Sequence, residues 1–133
     1  MMEMEERLAR LDWDAIELSL WERGYARTPP LLTADECADL AGLYKDDSRF
    51  RSRVDMARYR FGVGEYKYFA NPLPVVVQAL RAHAYPRLAP IACRFTEALG
   101  SRERFPADLA SFLSRCARRG QPNPTPQISA IST

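Results

Sequence analysis

Residues 51–69 read RSRVDMARYRFGVGEYKYF and concentrate basic and aromatic side chains in one short stretch. Basic groups contact phosphates and aromatic rings stack on bases, so this composition is typical of a nucleic-acid-binding surface. Arginine and tyrosine are also common on the exposed side of strands, so a scaffold hairpin with surface ion pairs explains the same residues. The sequence leaves both interpretations open. The residues concerned are Arg51, Arg53, Arg58, Arg60, Lys67, Tyr59, Tyr66, Tyr68 and Phe69.

The sequence contains few residues that could bind a metal ion or act as a nucleophile. His83 is the single histidine, and the three cysteines (Cys37, Cys93 and Cys116) show no Cys-x-x-Cys spacing. These residues cannot build a zinc site by a common spacing, nor the two-histidine, one-carboxylate triad of non-haem iron. A Gly-x-Ser-x-Gly motif and a phosphate-binding glycine loop are both absent from the sequence. We therefore expect no cofactor on this chain, and we expect the cysteines to be free, buried and structural.

Charge is divided along the chain. Residues 1–47 hold 12 acidic against 5 basic residues, residues 48–120 hold 14 basic against 5 acidic residues, and residues 121–133 are uncharged. A basic second half suits phosphates or acidic substrates. The alternative is that the two halves pack together and partly neutralise each other.

The N-terminal residues and the lengths of the apolar runs predict the cellular compartment. The first residues, MMEMEERLAR, lack the apolar run of a signal peptide, and no stretch has the length of a membrane span. We expect a cytoplasmic protein that does not enter a membrane.

Helix signals are strong in the first third of the chain. Asp12 is placed to begin a helix that Gly24 ends, and Thr33 with Glu36 has the spacing of a capping box. The second of these helices has an apolar face, which should be buried, on Cys37, Leu40, Ala41 and Tyr44. Between the two helices, GYARTPPLL predicts a short extended strand.

The rest of the chain predicts a hairpin, two or more helices and a tail. Two alternating runs around Gly62-Val63-Gly64 predict a β-hairpin. Helical periodicity then returns, with Pro86 and Pro90 expected to break or restart the helix, and a last helix ends at Gly120. Residues 1–120 should form a single helix-rich α+β domain, and the uncharged, proline-rich residues 121–133 a disordered tail.

A family resemblance covers most of the chain. The blocks LDWDAIELSLWERGYARTPPLLTADECADLAGLY and FRSRVDMARYRFGVGEYKYFANPLP resemble a bacterial family of 2-oxoglutarate- and Fe(II)-dependent oxygenases, described as acting in oxidative repair of alkylated DNA. The likeness continues through YPRLAPIACRFTEALG, RFPADLASFLSRC and GQPNPTP, over residues 11–126. It implies the N-terminal, helix-rich part of a double-stranded β-helix (jelly-roll) dioxygenase.

The resemblance also implies cofactors and a substrate pocket. An intact relative would use Fe(II), held by a His-x-Asp pair and a distant histidine, together with 2-oxoglutarate. No position here matches that iron motif, and the resemblance stops after Pro126, so we expect a truncated product that is inactive alone. The alternatives are half of a split enzyme, completed by a C-terminal chain, and a non-catalytic module that binds nucleic acid or protein through its basic half. The hairpin residues expected to shape the substrate pocket are Arg53, Asp55, Arg58, Tyr66, Lys67 and Tyr68.

Overall fold

A computed structural model describes residues 2–56 and 64–130 of the chain. Within these residues, the helices are α1 (Met4–Ala9), α2 (Trp13–Arg23), α3 (Ala34–Gly42), α4 (Val75–Ala98) and α5 (Leu109–Arg118). The strands are β1 (Phe50–Asp55), β2 (Glu65–Phe69) and β3 (Gln127–Ala130), and short 3-10 turns at Leu43–Lys45 and Asp47–Arg49 lead from α3 into β1. The predicted α+β class with a predominance of helix is confirmed.

The chain divides into two compact units. The helical unit comprises Met1–Leu32 and Gln78–Pro122, and its buried apolar residues include Leu8, Ile16 and Ile91. The sheet unit comprises Thr33–Val77 and Asn123–Thr133, and it buries Phe69 and Leu73. Each unit therefore has a small apolar core of its own.

The predicted starts of α2 and α3 are confirmed. The Asp12 carboxylate accepts a hydrogen bond from the Ala15 amide at 3.0 Å, and Gly24 closes α2 with φ +79°, a conformation that favours glycine. At α3, the Thr33 hydroxyl accepts from the Glu36 amide at 3.1 Å while the Glu36 carboxylate accepts from the Thr33 amide at 2.8 Å. Both contacts lie within one helical turn, which is why the sequence alone specifies them.

Helix α4 corrects the expectation that Pro86 and Pro90 break or restart the helix. It runs unbroken from Val75 to Ala98 with Pro86 and Pro90 inside it. A proline removes one backbone donor and usually bends or ends a helix. Here the helix buries Ala89 and Ile91, and this tertiary packing offsets the missing hydrogen bonds.

The strands form an antiparallel sheet in the order β1-β2-β3, which confirms the predicted pairing of the hairpin. The turn residues 57–63 lie outside the described part of the chain. The prediction of a disordered tail is wrong for Gln127–Ala130, because these residues pair with the second edge of β2 and satisfy its backbone groups. Residues 25–30 form no strand, so the third strand comes from the tail rather than from GYARTPPLL.

None of the four residues on the face predicted to be buried after Thr33 is buried. Cys37 is exposed and Leu40 is only half-buried, so the expectation of a buried Cys37 is wrong. Cys93 and Cys116 are half-buried, and all three thiols are free, as predicted. Helical periodicity identifies an apolar face, but it does not supply the element that would cover it.

In the helical unit, Glu17 joins α2 to α4. Its carboxylate accepts hydrogen bonds from Arg94 Nε at 2.8 Å and from Trp21 Nε1 at 3.0 Å. The Arg94 hydrogen bond, followed by that of Trp21, lowers the pKa of Glu17 from its usual 4.5 to about 2. An ionised Glu17 therefore stabilises the fold above pH 4.5, and this stabilisation is lost as the pH falls from 4.5 towards 2.

We expect Glu17→Gln to lower the melting temperature at pH 7 by roughly 2–5 °C, a modest effect because Arg94 is partly solvated. The difference from the wild type should shrink as the pH falls below 4.5 and vanish only below pH 2. Tryptophan fluorescence during thermal unfolding at several pH values measures it, with the exposed Glu22→Gln on the same helix as control. A pH-independent difference between Glu17→Gln and the wild type would contradict the assignment.

Candidate functional site

Strand β2 lies at the centre of the sheet and presents different chemistry on its two faces. Lys67 lies opposite Arg53 of β1 and Ile128 of β3, so it is in the middle of the sheet. Side chains alternate along a strand, which places Glu65, Lys67 and Phe69 on one face and the two tyrosines of β2 on the other. We call these the lysine face and the tyrosine face.

The lysine face holds a buried cation. Lys67 is only 8% exposed, and its Nζ donates to the Tyr44 carbonyl oxygen at 2.7 Å. The same ammonium lies 4.1 Å from the centroid of the Tyr44 ring and 5.3 Å from that of Phe50. Its carboxylate neighbour is Asp47, at 3.4 Å and 93% exposed. A carbonyl, two aromatic rings and one solvated carboxylate thus compensate the charge of Lys67.

A second chain of contacts runs along the lysine face. The Tyr44 hydroxyl donates to Glu65 Oε1 at 2.5 Å, and the other oxygen of Glu65 lies 3.0 Å from Arg53 Nε. Burial and, next, the Glu65 carboxylate raise the pKa of Tyr44 to about 12. The Tyr44 hydroxyl therefore stays protonated at neutral pH and acts as a donor. This face is cross-linked internally, which favours a structural role.

The tyrosine face has a different character. The guanidinium of Arg51 lies 4.5 Å from the centroid of the Tyr68 ring, and the Tyr66 ring meets the Tyr68 ring edge-on at 5.6 Å. A register shift between Phe50 and Ser52 makes Arg51 the extra residue of a bulge, which allows it to lie over Tyr68. Arg51 Nε also donates to the Pro124 carbonyl oxygen at 2.8 Å, which holds the guanidinium in place. Arg51 is exposed and both tyrosines are half-exposed.

The residues predicted to shape one pocket are divided between the two faces. Arg53 and Lys67 are on the lysine face, where Glu65 and Tyr44 link them. Asp55 is half-buried and is paired in register with Glu65. The remaining candidates are Tyr66 and Tyr68, on the tyrosine face, and Arg58, which lies outside the described residues.

Three residues of these faces are not among those predicted from the sequence to shape the pocket. Arg51 belongs to the same basic stretch, so its type pointed to it, but only the bulge shows that it stacks on Tyr68. Glu65 belongs to no sequence motif that would have pointed to it. Tyr44 was assigned to the apolar face of α3, whereas it lies in the turn after α3 and contacts Lys67 and Glu65 of β2. Residues that meet from 21 or more positions apart leave no pattern in the local sequence that would predict their contact.

The described residues do not form a metal centre. Among residues 2–56 and 64–130, no group of three histidine, cysteine, aspartate or glutamate side chains could hold a metal ion. A search of the same residues for a helix long and apolar enough to cross a membrane finds none. Both faces of the sheet are therefore candidates for binding or scaffolding, and the tyrosine face is the more accessible.

Comparison with known proteins places the chain in a family. Residues 64–133 match the model of a family described as "Oxygenase, catalysing oxidative methylation of damaged DNA". The match covers more than half of the chain and includes β2, α4, α5 and β3, and the chain belongs to this oxygenase family. No curated protein and no solved structure matches the chain. The match continues beyond Pro126, so the expected end of the resemblance at that residue is wrong.

Proposed function

We propose that the tyrosine face binds unpaired bases of DNA, and that this chain is a DNA-contacting part of an oxygenase acting on alkylated DNA. The observation that carries the proposal is the exposed Arg51 guanidinium stacked on the Tyr68 ring, with Tyr66 edge-on beside it. Bases stack on aromatic rings and on guanidinium planes, whatever their sequence. The family description, which names damaged DNA, supports the same ligand class.

The geometry suits a single strand or an extruded base better than an intact duplex. Enzymes that act on a base take it out of the stack and hold it by stacking and by hydrogen bonds. Bases inside a duplex have their faces covered by their neighbours, so the Tyr68 and Arg51 planes can engage only unpaired bases. We further propose that the sheet is part of a double-stranded β-helix, as the resemblance implies.

Fe(II) and 2-oxoglutarate are the cofactors that the resemblance implies for an intact relative. The facial triad for such iron needs two histidines and one carboxylate, and this chain has His83 alone. The described residues hold no alternative group of metal ligands. The residues present therefore do not fit iron, and we assign no catalytic step to this chain. Oxidation would need iron ligands from outside these 133 residues, for example from a complementing C-terminal chain.

The second candidate function is a non-catalytic module that binds nucleic acid or protein. The absence of a group of metal ligands among the described residues favours it. The two proposals share the DNA-binding face and differ in one respect. Only the oxygenase proposal expects oxidation of alkylated DNA when a chain that supplies the iron ligands is added with Fe(II) and 2-oxoglutarate.

Fluorescence anisotropy with a labelled single strand of about 20 nucleotides tests the shared part of the proposal. We expect saturable binding that weakens steeply with salt, with log K falling against log salt by about 0.7 for each phosphate contacted. We also expect an unlabelled duplex to compete less well than an unlabelled single strand. Absence of binding at about 50 mM salt, or binding that salt does not weaken, would refute the proposal.

A further inference from the structure

The helical unit carries a concentrated positive surface that the tyrosine face does not include. Residues 101–119 hold five arginines against two acids, Glu103 and Asp108, a balance of 5 − 2 = +3. The arginines lie in α5 and in the segment that leads into it. We call them the α5 arginine surface: Arg102, Arg104, Arg115, Arg118 and Arg119.

The two acids of this segment are already engaged. Glu103 Oε1 accepts from Arg119 Nη1 at 3.2 Å and lies 3.5 Å from Arg115 Nη2, so one carboxylate serves two arginines. Asp108 caps α5 by accepting from the Ser111 amide at 2.8 Å. It lies about 15 Å from Arg118 along the helix axis, at 1.5 Å per residue. In the part of the chain that the structure describes, Arg102, Arg104 and Arg118 form no ion pair.

The segment before α5 is held against the helix, and its contacts fix Arg104 and Arg115 in place. Arg115 Nη1 donates to the Arg104 carbonyl oxygen at 2.6 Å, and its guanidinium lies 5.5 Å and 5.6 Å from the ring centroids of Phe105 and Phe112. Arg104 in turn donates to the carbonyl oxygen of Glu103 at 2.9 Å, which fixes its side chain without neutralising it. A pre-positioned cluster of like charges is stabilised when an anion binds to it.

We infer that the α5 arginine surface is a second DNA-binding surface, which contacts backbone phosphates rather than bases. This inference rests on the proposed function, because it names the same ligand. Guanidinium groups match the geometry of phosphate oxygens. Arg115 lies over Phe105 and Phe112, the two phenylalanines of this segment, so the surface offers charge and not a stacking platform. Its contribution is therefore independent of base sequence and of pairing.

The test compares two double variants by anisotropy over a series of salt concentrations. Arg102→Ala with Arg118→Ala removes two exposed charges from the α5 arginine surface and breaks no ion pair among the described residues. We expect roughly tenfold weaker binding and a slope of log K against log salt reduced by about 1.4, or two single-strand phosphate contacts. The control, Arg23→Ala with Arg27→Ala, removes two exposed charges from the end of α2 and the segment after it in the same unit, breaks no ion pair among the described residues, and should change neither quantity.

The outcomes separate this inference from the proposed function. An unchanged salt slope in Arg102→Ala with Arg118→Ala, while Tyr68→Ala weakens binding, overturns the inference alone. Equal losses in that double variant and in its control also overturn it, because they indicate a general net-charge effect. Wild-type protein that binds no DNA refutes both proposals. Arg102→Lys with Arg118→Lys, which keeps the charges, should retain most of the slope, and circular dichroism checks that each variant is folded.

Discussion

Replacing Lys67 with methionine is expected to destabilise the sheet unit by about 2 kcal/mol. Methionine keeps the apolar stem and removes the ammonium, so the Tyr44 carbonyl oxygen loses its donor at 2.7 Å. Leaving this part-buried acceptor unsatisfied costs about 1–3 kcal/mol, and loss of the interaction with the Tyr44 and Phe50 rings adds about 1 kcal/mol. Relief from burying a charge offsets part of this total.

Hydrogen exchange of the β2 amides measures this change where it occurs, since both tryptophans are in the helical unit. A loss of 2 kcal/mol corresponds to roughly 30-fold weaker protection, at tenfold per 1.4 kcal/mol. Lys45→Met is the matched control, because Lys45 is the only other lysine of the chain and is exposed. Unchanged or stronger protection in Lys67→Met would contradict the prediction, because the free-energy cost of burying the Lys67 ammonium would then equal or exceed the stabilisation from its contacts.

Replacing Tyr68 with alanine is expected to weaken binding of single-stranded DNA by roughly 10- to 100-fold. One stacked base contributes about 1–3 kcal/mol, and Tyr68 also supports the guanidinium of Arg51 at 4.5 Å. The slope against salt should change little, because tyrosine carries no charge. Tyr68→Phe keeps the ring and should bind like the wild type.

Anisotropy at a fixed salt concentration measures this effect, and Tyr25→Ala is the control. Tyr25 is 57% exposed, belongs to the helical unit and is not part of the tyrosine face, so its loss should leave DNA binding unchanged. Equal affinities of Tyr68→Ala and Tyr25→Ala would remove the tyrosine face from the proposed function. The protection of β2 amides in Tyr68→Ala distinguishes a lost contact from a lost sheet.

Lys67→Met and Tyr68→Ala change opposite faces of strand β2, so their effects can be compared with each other. Lys67 is on the lysine face and Tyr68 is on the tyrosine face. If Lys67 has a scaffold role, Lys67→Met should lower the stability of the sheet unit. DNA binding should then fall only by the fraction of the protein that is unfolded. A direct role for Tyr68 predicts a loss of binding in a folded protein. Comparing stability and binding in both variants therefore separates scaffolding from recognition.

The sequence by itself determined the features that depend on neighbours within one turn or on residue type alone. The caps at Asp12 and at Thr33 with Glu36 follow from side chains that reach an amide three residues away. The family resemblance and the antiparallel hairpin were also visible in the residues. The shortage of metal ligands follows from the single His83 and the absence of paired cysteines.

Only the tertiary structure decided which distant segments meet. Ile128 pairs with Lys67 across the sheet. The uncharged tail that contains Ile128 shows only a short alternation of exposed and half-buried residues, over Gln127–Ala130, which is too little to predict a strand. Helix α4 continues through Pro86 because its packing outweighs a local preference for a break. Tyr44 covers the ammonium of Lys67 from a turn 23 positions earlier. Local rules fix the ends of elements and the alternation of side chains along β2, whereas burial and pairing depend on partners far apart in the chain. Only the tertiary structure therefore showed that the lysine face is packed and that the tyrosine face is accessible.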